Sequence, residues 1–110
     1  MEKYVLVVLT NPVAGREEEF NTWYKNQHIP DVLKIPGFKS AQRFQLAQPD
    51  GSPYKYMALY EVATDDLART LGELPARAGG PDMVLSEAFD ITQASAVPWV
   101  AISKKVTASR

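Results

Sequence analysis

The stretch Phe20-Asn21-Thr22-Trp23-Tyr24-Lys25-Asn26-Gln27-His28-Ile29-Pro30-Asp31-Val32-Leu33-Lys34-Ile35-Pro36-Gly37-Phe38 carries the only histidine of the chain and separates two runs that read as strands. At helical spacing Phe20, Tyr24 and His28 stand at i, i+4 and i+8, so their side chains form one ridge. Glu17, Glu18 and Glu19 come just before, placing negative charge where the first turn of a helix favours it. Pro30 has no backbone N–H to give and its ring crowds the preceding turn, so the helix is expected to break at Ile29 with His28 in its last turn. Asp31 to Lys34 reads as a short separate helical turn, stopped by Pro36-Gly37. A histidine at a helix end can point past it into a cleft, and imidazole is the side chain that exchanges a proton near neutral pH.

Upstream, Tyr4 to Leu9 is a valine-rich run of consecutive apolar residues, the pattern of a strand covered on both faces. Downstream, residues 38 to 46 alternate, with Phe38, Ser40, Gln42 and Phe44 on one side and Lys39, Ala41, Arg43 and Gln45 on the other; either Gln42 or Arg43 belongs to the side that meets the helices. Pro49-Asp50-Gly51-Ser52-Pro53 is a turn. Tyr54 to Val62 returns as the hairpin partner, placing Tyr56, Ala58 and Tyr60 on one face and Met57 and Leu59 on the other. Thr64 reads as the N-cap of a second helix through Leu67, Leu71 and Leu74, ended or kinked at Pro75. Residues 76 to 90 are expected to be irregular, and Val97 to Lys104 to form the last strand.

This order, β-α-β-β-α-β, predicts an α+β ferredoxin-like domain: a four-stranded antiparallel sheet with two helices on one face. The other face, with Met57, Leu59 and either Tyr4 or Val5, is too apolar for water, which predicts a homodimer formed through it. Residues 1–106 are expected to be a single domain and 107–110 a loose tail. Lys plus Arg (12) nearly cancel Asp plus Glu (13), so neither nucleic acid nor an anionic membrane is an expected partner. Without cysteine there is no disulfide, thiolate nucleophile or thiolate metal site, and the chain reads as a complete cytoplasmic protein without a targeting segment. One histidine and scattered carboxylates show no metal-ligand pattern, and no phosphate-binding glycine loop or nucleophile elbow is present.

Trp23-Tyr24-Lys25-Asn26-Gln27-His28-Ile29-Pro30-Asp31, followed by Pro36-Gly37-Phe38 and Ser40-Ala41-Gln42-Arg43-Phe44, resembles the EthD-like group of the dimeric α+β barrel superfamily. The resemblance covers most of the chain. It implies two ferredoxin-like subunits packed sheet to sheet, each with a pocket between its sheet and its helices. It also implies chemistry of the cofactor-free branch rather than the haem-using one, so no cofactor is expected. A fold hosts many chemistries, so the reaction has to come from the site.

His28 is the candidate general acid or base, with Tyr24 one turn back as donor to a developing oxyanion; the alternative is a histidine that caps the helix C-terminus. Phe20 and Trp23 are candidate walls of the pocket or ordinary core. Asp31 either orients the imidazole or caps the turn that follows it. Arg43 either fixes a ligand oxygen or makes an interface ion pair, and Tyr60 shares with Tyr56 a face suited to a phenolic or polycyclic ligand or to a sheet core. Met83 and Phe89 are candidates to close the pocket. Together these residues suggest a small cofactor-independent enzyme doing proton-transfer chemistry (isomerisation, cyclisation, dehydration or a lyase step) on an apolar cyclic or aromatic oxygenated metabolite of catabolism. The alternatives are cofactor-free oxygenation of hydroxyaromatics and a non-catalytic accessory protein that holds a pathway intermediate.

Overall fold

A computed structural model of the protein describes residues 1–109; Arg110, the last residue of the expected tail, lies outside the described residues. The elements are β1 (Glu2–Pro12), α1 (Glu17–Trp23), a π-helical turn (Tyr24–His28), α2 (Ile29–Leu33), β2 (Phe38–Gln45), β3 (Tyr56–Thr64), α3 (Leu67–Arg77) and β4 (Phe89–Trp99). The strands form one antiparallel sheet in the order β2-β3-β1-β4, so the two hairpin-linked strands flank one side of β1 and the last strand pairs on its other side. This is the predicted ferredoxin-like arrangement.

Pro30 does not end the helix. Backbone angles stay helical at Trp23, Tyr24, His28 and Ile29, and the chain runs on to Leu33. The ladder widens instead: the N–H of Ile29 bonds the carbonyl of Tyr24, five residues back, just before the proline that cannot take part. Asp31 therefore lies inside a continuous helix rather than at the start of a new turn, and His28 lies within that helix rather than at its end.

The helix-facing side of the sheet carries Leu6, Ala58, Tyr60 and Val62, all nearly solvent-free, against Phe20, Tyr24, Val32 and Ile35 of the first helical layer. A bulge between Phe38 and Ser40 turns Phe38 inward alongside Ala41 and Arg43, so strict alternation along β2 fails at its first residues. Gly37, just before the strand, has φ 101° and its carbonyl accepts from the N–H of Ala63; a Cβ there would press on Thr70 and the Ala63 carbonyl. Thr64 ends β3 rather than capping α3; Asp66 is the cap and accepts from the N–H of Arg69.

The last strand lies earlier than Val97–Lys104. β4 begins at Phe89 and ends at Trp99, where it reaches Val5 of β1, and the described residues beyond it form no strand. Pro98 is tolerated because β4 is an edge strand and needs hydrogen bonds on one side only. Pro75 is likewise accommodated, in the last turn of α3, which continues to Arg77. The opposite face of the sheet presents Val5, Val7, Leu9, Met57 and Leu59, partly buried, with Phe44, Val97 and Trp99 exposed. Among the described residues no helix is long and apolar enough to cross a membrane.

Candidate functional site

The widened turn decides where His28 goes. Because one extra residue is wound into the helix at Tyr24–His28, the ring meets both the residue four back and the one five back. It stacks on Trp23 (centroids 4.6 Å apart, planes 26° apart) and stands edge-on to Tyr24 (4.8 Å, 82°). Wedged there, it forms part of the wall of a cleft of about 400 Å³ between the first helix, α3, the sheet and the loop that follows α3. The rest of that wall is chiefly apolar: Val8, Val32, Leu74, Met83, Leu85 and Phe89. Tyr60 contributes from the sheet, and Ala94 and Ala96 of β4 leave room by being small. The volume is within the usual range for small-molecule sites.

Burial holds the His28 ring in its neutral form, lowering its pKa to about 4; the Arg43 cation pushes in the same direction and the Asp31 carboxylate against it. Its Nδ1 is buried with no hydrogen-bond partner. Asp31 does not orient the ring. Its Oδ2 accepts from Gln27 Nε2 (2.7 Å) and from the N–H of Val84 (3.3 Å), while Trp23 Nε1 donates to the Val84 carbonyl (2.9 Å). Asp31 and Trp23 thus clamp the loop that brings Met83 and Leu85 over the cleft. The expectation that Met83 and Phe89 close the pocket agrees with their place in its wall.

Tyr24 and Tyr60 are almost wholly buried, and each hydroxyl lies unpartnered and close enough to the other to affect its titration. Desolvation raises both pKa values, so both remain protonated donors. Of the two, Tyr60 borders the cleft and Tyr24 stands behind it, so the position expected of Tyr24 belongs to Tyr60. Behind both lies Arg43, from the helix-facing side of β2, its Cζ 4.2 Å from the centre of the Tyr24 ring. Among the described residues no carboxylate is within ion-pair distance of Arg43, and its Nε is buried without a partner. Phe20 is fully buried between Trp23, Tyr24, Tyr56 and Phe89 and supports the site without lining it.

The structure thus brings His28, Trp23, Tyr24, Tyr60 and Arg43 into one cluster. The sequence reading did not single out Val8, Val32, Leu74 or Leu85 of the wall; a signal for Leu74 was its helical spacing from Leu67 and Leu71. Among the described residues, no group of three or more His, Cys, Asp or Glu side chains is placed to hold a metal ion.

The sequence-family model described as a domain of unknown function (DUF4286) matches residues 3–70. The chain belongs to that family. The DUF4286 match spans β1 to the start of α3 and so includes His28, Arg43 and Tyr60, while the covering loop and β4 lie beyond it. No curated protein matches the sequence. Three solved structures share its fold. An ethyl tert-butyl ether D (EthD) family protein from Bacillus halodurans C-125 is 19% identical, with 93% of this chain and 100% of that one covered and a TM-score of 0.64. A candidate monooxygenase from Shewanella loihica PV-4 is 14% identical (94% and 97% covered, TM-score 0.65). The haem-degrader MhuD from Mycobacterium tuberculosis, with two haems bound in its active site, is 17% identical (94% and 99% covered, TM-score 0.65). At these identities the likeness is one of fold, and it agrees with the ferredoxin-like, EthD-type architecture expected from the sequence.

Proposed function

We propose that this DUF4286 protein is a small enzyme that binds an apolar, oxygen-bearing cyclic or aromatic metabolite in the His28 cleft and moves a proton on it. The observation that carries the reading is His28 itself, a neutral imidazole in the wall of a chiefly apolar cleft of about 400 Å³. A ring with a pKa of about 4 is unprotonated at neutral pH, ready to accept a proton, but it is a weak base. It is therefore matched to an acidic proton: a phenol, an enol, or a carbon between two carbonyl groups. An anion left in the cleft would be favoured by the field of the Arg43 cation, which lies behind the Tyr60 wall with no carboxylate among the described residues to neutralise it. The same proton returned at another atom gives isomerisation; expelling a leaving group gives dehydration or another lyase step; attack on a second carbonyl gives cyclisation. None of these steps calls for a cofactor.

The assembly follows from the open sheet face. Val7, Leu9, Met57, Leu59, Val97 and Trp99 form a continuous apolar surface, and a second copy packed on it would complete a two-sheet barrel. Sedimentation of the protein and of Leu59→Arg checks this; a monomeric parent would refute it.

The test of the chemistry uses a panel of phenols and cyclic β-dicarbonyl compounds. Binding is followed through the His28 ring signals, and proton transfer through exchange of the activated C–H with deuterated solvent. His28→Ala is expected to keep the fold and the ligand while losing at least about a hundredfold in exchange rate. Full activity in that variant would sink the assignment. Ligand binding with no turnover in either protein would instead favour the accessory-binding reading, and oxygen uptake with a hydroxyaromatic would favour cofactor-free oxygenation.

A further inference from the structure

The Arg43 guanidinium is held by a chain of side chains that does not itself border the cleft. Arg43 Nη2 donates to Asn21 Oδ1 (3.0 Å), Asn21 Nδ2 donates to the Tyr56 hydroxyl (3.1 Å), and that hydroxyl donates to Glu17 Oε2 (2.5 Å). Glu17 and Asn21 are one turn apart on α1, Tyr56 opens β3 and Arg43 lies on β2, so the chain ties the first helix across two strands. Three ring faces surround the cation: Tyr24 at 4.2 Å, Tyr56 at 5.3 Å and Phe20 at 5.6 Å.

A cation desolvated in this way normally recruits a carboxylate. Here the acid at the end of the chain, Glu17, is kept one hydroxyl and one amide away, half-exposed and paired at 3.9 Å with Lys55 on the outside. Among the described residues the amide of Asn21 is the one group that bonds Arg43, and it does so without cancelling its charge. An aspartate at this position would make as good a hydrogen bond and would neutralise the cation.

We propose that Asn21 is a positioning residue of the site: it fixes Arg43 over Tyr24, behind the cleft wall, as a cation left uncompensated, anchored in turn by Tyr56 and Glu17, so that its field favours a negative oxygen bound in the cleft. This rests on the reading of the cleft as the functional site, but its test needs no turnover. The groups facing His28 are Asp31 from its own helix, Arg43 from β2 and the neutral hydroxyls of Tyr24 and Tyr60, so the ring reports on the placement of the cation.

The experiment is a double-mutant cycle on the His28 titration, followed by NMR of the ring. Asn21→Asp and Arg43→Met are each expected to raise the His28 pKa by about half a unit or more, because each removes net positive charge from its surroundings. In the Arg43→Met background Asn21→Ala is expected to have no further effect. An equal Asn21→Ala shift with and without Arg43 would overturn the proposal, since Asn21 would then act through packing alone. Should Asn21 variants fail to fold, Tyr56→Phe, which removes one hydroxyl, gives the same reading on a smaller scale: a shift seen only when Arg43 is present supports the chain, and a shift independent of Arg43 refutes it. Turnover that is absent, or that survives His28→Ala, with this cycle intact would refute the enzymatic reading and leave the positioning role standing.

Discussion

The two helical layers cover the same sheet face yet are built differently. The first, α1 through α2, buries Phe20, Tyr24 and Val32 to within 1% exposure and supplies His28. The second, α3, has one buried residue, Thr70, and leaves Leu71 and Leu74 only partly covered. Each helix also contains a proline, and each deals with it in its own way. Pro30, in mid-helix, is absorbed by a π turn that sets His28 against Trp23; Pro75 sits where the helix has few bonds left to lose. One helix is the foundation of the site and the other is a cover over it.

The sharpest way to break this contrast is to truncate both layers. Phe20→Ala removes a fully buried ring that touches four other aromatic rings and is expected to cost about 4 kcal/mol in denaturant unfolding. Leu71→Ala on α3 should cost about 1 kcal/mol, because the side chain is partly exposed already. Equal costs would mean that α3 belongs to the core as much as the first helix does.

The next effect depends on pH. The folded protein holds His28 near a pKa of about 4, below the value of about 6.5 for an unfolded chain, so between those limits the unfolded state binds the proton that the fold refuses. The stability that comes from keeping the ring neutral is complete above pH 6.5 and is lost as the pH falls toward 4. It amounts to at most about 3 kcal/mol, from the difference of the two values. Urea unfolding of the parent and of His28→Gln across this window isolates it from the carboxylates, which titrate in both. Parallel pH curves would show a ring that is not desolvated. The same sign applies to the proposed activity, whose acid limb should fall near pH ~4 to 5, since protonated His28 cannot act as a base.

Much of the fold was legible before the structure. The glycine–proline turn between β2 and β3, the ridge of Phe20, Tyr24 and His28, and the acidic start of α1 each carry a local physical signal, and each is where it was expected. β4 was misplaced for a reason tied to the cleft. Its cleft-facing residues Ala94 and Ala96 are small so that the cleft stays open, which removes the apolar alternation that marks a strand. Val97 to Ile102 keeps that alternation, but pairing with β1 stops at Trp99 opposite Val5, although β1 itself runs back to Glu2. In the site, His28, Arg43 and Tyr60 could be named from residue type, but strand parity left open whether Gln42 or Arg43 meets the helices, and the exchange of Tyr24 for Tyr60 at the cleft wall could not be read at all. It depends on where the widened helix turns its side chains, and proline in a sequence signals a break far more readily than a π turn. Asn21 gave no signal beyond its place on the same helix face as Glu17.

The smallest effect tests whether Pro30 is the cause of that turn. Pro75→Ala restores a backbone donor at the end of α3 and is expected to stabilise the fold by about 1 kcal/mol or less while leaving the His28 titration unchanged. Pro30→Ala offers a similar gain in helix propensity, but it also restores an N–H at position 30 that can donate within a regular α-helical ladder, which draws out the extra residue wound in at Tyr24–His28. Removing that residue would turn His28 away from the Trp23 ring and toward water. The net change in stability should then be within about 1 kcal/mol, since lost aromatic packing offsets the propensity gain, while the ring pKa rises from about 4 toward its ordinary value. A Pro30→Ala protein in which His28 still titrates near 4 would show that the stacking of Trp23, His28 and Phe89 holds the π turn by itself, with the proline merely tolerated by a helix the aromatic core had already widened.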